Sequence, residues 1–219
     1  MSITLNHVSY RYQGKYQTVY ALNDVSQVFE PGKLYAIIGA SGSGKTTLLS
    51  LMAGLDLPTG GEILVNGKPT AKWNRNALRR EALSVIYQNY NLFPLLTVRE
   101  NILYPLRLTR RNKAESLALA KEARAKVGLP EDYDNRLPAQ LSGGEQQRVA
   151  IARTLAQGCK IILADEPTGN LDTSNTENIV KILRSLAHEN GCTVIIVTHD
   201  PAVAEQADVV LRMRDGTWA

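Results

Sequence analysis

Residues 39–46 read Gly-Ala-Ser-Gly-Ser-Gly-Lys-Thr and fit the spacing G-x-x-x-x-G-K-[ST]. That spacing suits one chemistry, the cradling of a phosphate chain. Glycines 42 and 44 let the backbone approach an anion closely and take up unusual dihedrals, so the N–H groups of Ser41 to Thr46 can point inward. Lys45 supplies a cation for the β- and γ-phosphates, and the Thr46 hydroxyl a ligand for Mg²⁺. Gly39, Ala40, Ser41, Gly42, Ser43, Gly44, Lys45, Thr46 and Thr47 are therefore the candidate residues for binding a nucleoside triphosphate. Further on, Ile161-Ile162-Leu163-Ala164-Asp165-Glu166 is an apolar run ending in two carboxylates. Asp165 at the tip can hold Mg²⁺, and Glu166 can face an attacking water as general base. Apolar runs that end in acids are common, but one downstream of a phosphate loop has an evident use. Leu141-Ser142-Gly143-Gly144-Glu145 places a serine and two small residues where a helix should begin, which makes an anion site.

These residues need elements to hold them in place. Leu34–Ile38 reads as a buried strand and Thr46–Ala53 as a helix stopped by Gly54, so the Gly-rich run joins a strand to a helix. Residues 3–9 and 19–30 have β-like patterns, with a polar turn at Gln13-Gly14-Lys15. Gly60-Gly61 and Asn66-Gly67 flank a short strand, Glu62–Val65, with hairpin chemistry. Residues 75–82 look helical, and Leu83–Tyr87 is a strand ending at Gln88. From Asn89 to about Gln157 strands vanish and helices dominate, with Lys113–Val127 stopping at Gly128 and another helix following Pro138. Strands return at Lys160–Ala164 and Thr193–Thr198, with a helical stretch at about Ser174–Glu189 between them. Alternating strands and helices predict a parallel sheet covered on both faces.

Bulk properties narrow the classes. The 219 residues suit one large domain, or a core with a subdomain. A net charge of +4 tolerates an anionic partner without requiring one. Cys159 and Cys192 read as small buried residues just before strands, in a reducing compartment. The N-terminus has no secretory apolar segment, and no apolar run approaches the ~20 residues of a membrane span. Any task across a membrane would require a separate membrane subunit.

Together the phosphate loop, Gln88, Leu141–Glu145, Asp165-Glu166, Asp172 and His199 resemble the nucleotide-binding subunit of ABC transporters, across essentially the whole chain. The resemblance implies an α/β fold: a P-loop NTPase core with a small antiparallel β portion and an inserted helical subdomain. Residues 1–219 would form a single ATPase domain, with 1–88 and 158–219 as the core and 89–157 as the helical subdomain carrying the signature motif. It implies an Mg-dependent ATPase, with ATP and Mg²⁺ as cofactors. Two copies would face each other head to tail, so that Leu141, Ser142, Gly143, Gly144 and Glu145 reach the partner's ATP. Glu145 stands where the family more often has glutamine, a tolerated variant that adds negative charge near the site. Glu166, His199 and Gln88 would be catalytic, with His199 contacting the γ-phosphate. Thr46, Gln88 and Asp165 would serve the metal, and Asp172 would couple the two sites. Adenine would stack on Tyr12, with Tyr10 two residues away as the alternative.

Asp165-Glu166-Pro167-Thr168-Gly169-Asn170-Leu171-Asp172, Gln88-Asn89-Tyr90-Asn91-Leu92 and the loop from Gln13 to Thr18 are similar to the macrolide-exporter, lipoprotein-release and FtsE group of that family. This implies an exporter or mechanotransmission system, held peripherally at the cytoplasmic face of the membrane by a membrane-spanning permease. A non-transporting signalling complex would use the same engine. The end at Ala219, soon after the last strand, leaves out the regulatory domain of sugar importers. The interval between Lys45 and Ser142 holds one helical subdomain, too short for the coiled coils of chromosome ATPases, and no nucleic-acid partner is expected.

Overall fold

The structure, a computed structural model, describes residues 1–14, 17–109 and 111–219. Two antiparallel strands, β1 (Ile3–Gln13) and β2 (Thr18–Phe29), lead through Pro31-Gly32 into β3 (Leu34–Ile38) and, past the Gly-rich loop, into α1 (Lys45–Met52). Next come β4 (Gly60–Val65), β5 (Lys68–Pro69), α2 (Arg75–Glu81) and β6 (Leu83–Ile86), then α3 (Val98–Arg107), α4 (Lys113–Lys126) and α5 (Gly143–Gln157). The chain ends with β7 (Ile161–Asp165), α6 (Thr173–His188), β8 (Thr193–Thr198), α7 (Pro201–Ala204), β9 (Val209–Arg214) and β10 (Thr217–Trp218).

One sheet runs β10-β9-β3-β8-β7-β6, parallel from β9 to β6, with β10 antiparallel at its edge; the other is antiparallel, in the order β2-β1-β4-β5. Alternation along β8 shows why the parallel sheet is apolar throughout. Val194 and Ile196 pack with α3, α5 and α6, whereas Ile195 and Val197 pack with α1 and the antiparallel sheet. The fold is the α/β P-loop architecture expected from the sequence. Cys159 and Cys192 are buried free thiols.

Three expectations need correction. β1 continues past residue 9 to Gln13, so Tyr10 and Tyr12 lie on a strand; of the turn that follows, Gly14 donates its N–H to the Gln17 carbonyl and Lys15 lies outside the described residues. The C-terminal strands β9 and β10 went unread. The third concerns Gly60-Gly61, which is no turn. Both residues lie within β4, opposite a bulge where β1–β4 pairing slips between Asn6↔Glu62 and Ser9↔Gly60. His7 and Gly61 both have positive φ there, and a Cβ on Gly61 would overlap the His7 carbonyl oxygen. Asn66-Gly67, by contrast, is the two-residue turn of the β4–β5 hairpin, with φ +51 and +78. Gly61→Ala should lower the unfolding free energy by about 2 kcal/mol, the usual scale for forced overpacking. Nucleotide affinity of the folded protein should not change. Urea denaturation and a nucleotide titration check both.

Candidate nucleotide site

β3 ends at Ile38 and α1 begins at Lys45, so the Gly-rich loop sits at the C-terminal edge of the parallel strands, where crevices form in such sheets. Gly42 and Gly44 have φ +80 and +103, conformations that side chains disfavour. Close approach adds a second demand. A Cβ on Gly39 would overlap the Met213 carbonyl oxygen of β9, and one on Gly44 would overlap the Ala21 carbonyl oxygen of β2. Lys45 is buried, and its Nζ donates to the Gly39 and Ala40 carbonyls at 2.8 Å each. Gly39, Ser41, Gly42, Gly44, Lys45 and Thr46 share a cavity of ≈ 270 Å³ with Glu166 and His199.

The carboxylates arrive from β7. Asp165 ends the strand, and Glu166 turns into the left-handed region at φ +46 while its N–H donates to the Val197 carbonyl at 2.9 Å. Such a dihedral is strained for glutamate and re-aims its side chain toward the cavity. Glu166 Oε1 meets His199 Nδ1 at 2.9 Å, and Oε2 is buried with no hydrogen-bond partner among the described residues. An unpaired buried acceptor costs about 1–3 kcal/mol, so this atom is poised for a donor. Burial, then the neighbouring Glu166 charge, push the Asp165 carboxyl above its usual range; Lys45 and the Thr46 hydroxyl pull the other way. The hydrogen bond to Glu166 and the carboxylate's charge raise His199, whose side chain is 72% exposed.

Leu141–Glu145 lies outside this cavity. Ser142 caps α5, where its amide donates to Glu145 Oε2 at 2.7 Å and its hydroxyl accepts from the Glu145 N–H at 3.4 Å. The Tyr133 hydroxyl donates to Glu145 Oε1 at 2.9 Å. Burial alone would raise the Glu145 carboxyl, but the bonds from Ser142 and Tyr133 outweigh it and hold it below its usual range. The negative charge noted in the sequence is thus absorbed by the helix cap. A Cβ on Gly144 would overlap the Asn175 side chain on α6.

The remaining candidates occupy the surrounding loops. Gln88 does not line the phosphate cavity; its Nε2 lies 3.0 Å from the position a Cβ would take on Gly169, beside the loop that follows Glu166. Asp172 caps α6, accepting from the Asn175 N–H at 2.8 Å and its Nδ2 at 2.7 Å. Tyr12 is 51% exposed, with its hydroxyl 3.1 Å from Thr47 Oγ1. The Tyr10 hydroxyl donates to Asp56 Oδ2 at 2.6 Å, which drives its pKa up to about 12. Sequence reasoning missed Asn101, fully buried, whose amide holds the Phe93, Leu96 and Thr97 carbonyls. Asn101 directly follows Arg99 and Glu100, so no sequence signal set it apart from a solvated polar residue.

A phosphate loop, a strand-end carboxylate pair and a Ser-Gly-Gly helix start on this topology agree with known proteins. The model of the ABC transporter family matches residues 22–169. The chain belongs to the ABC transporter family. It is the ATP-binding subunit of such a transporter. An uncharacterized ABC transporter ATP-binding protein, MT1014 of Mycobacterium tuberculosis (strain CDC 1551 / Oshkosh), is 37% identical over 98% of this chain and 87% of its own length. The dimeric structure of the bacterial ABC transporter cassette MJ0796 is 39% identical, with a TM-score of 0.90 over 99% of this chain and 96% of that one. A dimeric post-hydrolysis state of MJ0796, bound to ADP and Pi, is similar at 38% identity and the same TM-score. CbiO1 of Clostridium perfringens, part of the ABC transporter complex cbiONQ, is 27% identical, with a TM-score of 0.88 over 99% of this chain and 86% of that one.

In this ABC subunit the His199–Glu166 pair has a measurable signature. His199 should titrate above the ordinary 6.5 in an imidazole NMR titration, and Glu166→Gln should move the midpoint down. The pair stabilises the fold below the ordinary histidine range, and that contribution is lost as pH rises through the raised value. Exposure of the ring keeps it small.

Proposed function

We propose that this chain is an ATP-hydrolysing, energy-coupling subunit that works as a head-to-tail homodimer beneath a separate membrane-spanning permease. The observation that carries the reading is the convergence on one cavity of the phosphate loop and Glu166, whose Oε1 is held by His199 while Oε2 is buried and has no partner among the described residues. In this reading Glu166 takes a proton from water as the water oxygen attacks the γ-phosphorus. The bond from that phosphorus to the bridging oxygen breaks, giving ADP and phosphate. His199 orients Glu166 and brings positive charge to the γ-phosphate, while Lys45 and the loop N–H groups hold the phosphates in place.

Among the described residues no group of three or more His, Cys, Asp or Glu could hold a metal by itself. Mg²⁺ carried by a nucleotide needs only one or two protein ligands. Thr46, whose hydroxyl lowers the Asp165 pKa, and Asp165 itself fit that need, and Gln88 is the further ligand assigned by resemblance. When bound, Mg²⁺ neutralises phosphate charge. The engaged Tyr10 hydroxyl and the exposed Tyr12 ring favour Tyr12 as the adenine face. Ser142, Gly143 and Gly144 lie outside their own chain's cavity and would serve the partner's γ-phosphate; that MJ0796 is dimeric supports a second copy as the partner. Asp172, beside that interface, would couple the two sites.

We read residues 1–219 as one ATPase domain, 1–88 and 158–219 forming the core and 89–157 the helical subdomain. A groove of ≈ 640 Å³ lies beside the loop that follows Gln88, lined by Arg79, Arg80, Tyr87, Phe93, Tyr104 and Leu108 among others. Its mix of aromatic and cationic side chains suits a short segment of the permease. The chain would then sit on the cytoplasmic face of the membrane; no helix among the described residues is long and apolar enough to cross one. The motif strings around Gln88 and Glu166 favour the macrolide, peptide, lipoprotein or haem export group, or its mechanotransmission members.

Glu166→Gln should keep ATP affinity within about threefold, lower turnover by about 10²-fold or more and accumulate an ATP-bound dimer. Steady-state hydrolysis and size-exclusion chromatography measure this; parental turnover would remove the catalytic assignment. Purification from native membranes should recover a permease with few spans and a large outer domain. A many-span permease with a binding protein would instead mark an importer, and association with cell-wall enzymes would mark the signalling alternative.

A further inference from the structure

Between β6 and α3 the chain makes an unusual turn. Tyr90 and Asn91 are consecutive and neither is glycine, yet φ is +61 and +46. Left-handed dihedrals cost a tyrosine of order 1 kcal/mol and an asparagine less, so two in a row need outside support. Arg153 on α5 provides it. Its Nη1 donates to the Asn91 carbonyl at 2.7 Å and its Nη2 to the Tyr90 carbonyl at 3.0 Å. Among the described residues no carboxylate pairs with this guanidinium, and burial opposes its charge. A half-buried cation with two backbone carbonyls as its partners is costly unless the loop it fixes matters.

The same loop touches two functional motifs. The Tyr90 hydroxyl lies 2.9 Å from where a Cβ would sit on Gly143, so the ring covers the signature glycine. Two residues earlier, the Gln88 carbonyl accepts from Asn170 Nδ2 at 3.4 Å, and its side chain rests on Gly169. Arg153 follows Ser142 by about three helical turns, so both lie on one face of α5.

We propose that Arg153 is a positioning residue: its two-carbonyl grip locks Tyr90-Asn91 in the left-handed turn and ties Gln88 to the signature start of the same chain, so that the two move as one body. This rests on the ATPase reading above. A signature pulled onto the partner's nucleotide would carry Gln88 with it, toward or away from its own site. Closure at one site would thereby set the position of Gln88 at the other.

The test uses the full chain and its ATP-driven dimer. Arg153→Gln should leave ATP affinity within about twofold and lower kcat at saturating ATP by about tenfold or more, the scale of a displaced positioning group. Hydrogen exchange should quicken at the Gln88–Leu92 amides and stay unchanged in β3 and β8. Asn91→Gly, which allows the turn without strain, should recover part of the lost kcat in the Arg153→Gln background. Should Arg153→Gln fail to fold, Arg153→Lys keeps the charge, loses the fork and should show the same pattern more weakly. The proposal is overturned if kcat stays within twofold of the parent, if the Gln88–Leu92 amides exchange as before, or if affinity and kcat fall together with no rescue by glycine. A parent that Glu166→Gln does not silence would refute the ATPase reading instead, so the two failures are distinct.

Discussion

The loop from Gly39 to Gly44 is pinched between two backbones, and the rest of the site depends on that squeeze. The Met213 carbonyl of β9 closes on Gly39 from the parallel sheet, and the Ala21 carbonyl of β2 closes on Gly44 from the antiparallel one. Further bonds tie the same place together: Gly216 N–H donates to the Ser43 carbonyl, and Asn23 N–H to the Gly216 carbonyl. A phosphate cradle made of N–H groups works only if those groups cannot turn away. Here the β9–β10 turn and β2 clamp the loop from outside, so its rigidity does not rest on the glycine-rich run, which by itself would be the most flexible stretch of the chain.

With the loop fixed, the carboxylates are placed by strand length. β7 ends at Asp165, level with Val197 of β8, and Glu166, whose N–H makes the last ladder bond to the Val197 carbonyl, swings into a left-handed turn. Adjacent residues on an extended strand would point to opposite faces. The turn breaks that rule, keeping Asp165 near Thr46 and bringing Glu166 onto the His199 ring. Burial of Asp165 and, after it, repulsion from the neighbouring Glu166 charge raise its carboxyl above the usual range. Positive charge from Lys45, His199 and a nucleotide-borne cation relieves that repulsion.

Sequence reading reached the residues whose chemistry is local. The phosphate loop, β3, β7 and β8 were legible because a Gly-rich string between a strand and a helix, and apolar runs bounded by polar ends, have few other meanings. The roles of Gln88, His199 and Asp172 came from family resemblance, since a lone Gln, His or Asp after a strand or in a loop has many uses. β9 was hidden by Arg212 and Arg214, which interrupt its apolar run, and β5 by its two-residue length. Gly61 looked like a turn because a bulge leaves the same trace in a sequence as a hairpin does. The pinch itself could not be read at all, because Gly39 and Met213 meet only through the order of strands in the sheet.

The start of α5 shows why a string can satisfy two demands at once. Ser142 and Glu145 form a capping box that needs a hydroxyl and a carboxylate or amide three residues apart, and Gly144 must yield to Asn175. These local demands alone would select Ser-Gly-Gly-Glu. The same cap keeps the Ser142 side chain exposed at the positive end of the helix, a fitting place to meet a phosphate. Glutamate in place of glutamine is accommodated because both carboxylate oxygens are engaged within the chain, Oε2 by the Ser142 amide and Oε1 by Tyr133. Its charge is directed back into its own subunit, and what the helix start leaves facing solvent is the Ser142 side chain.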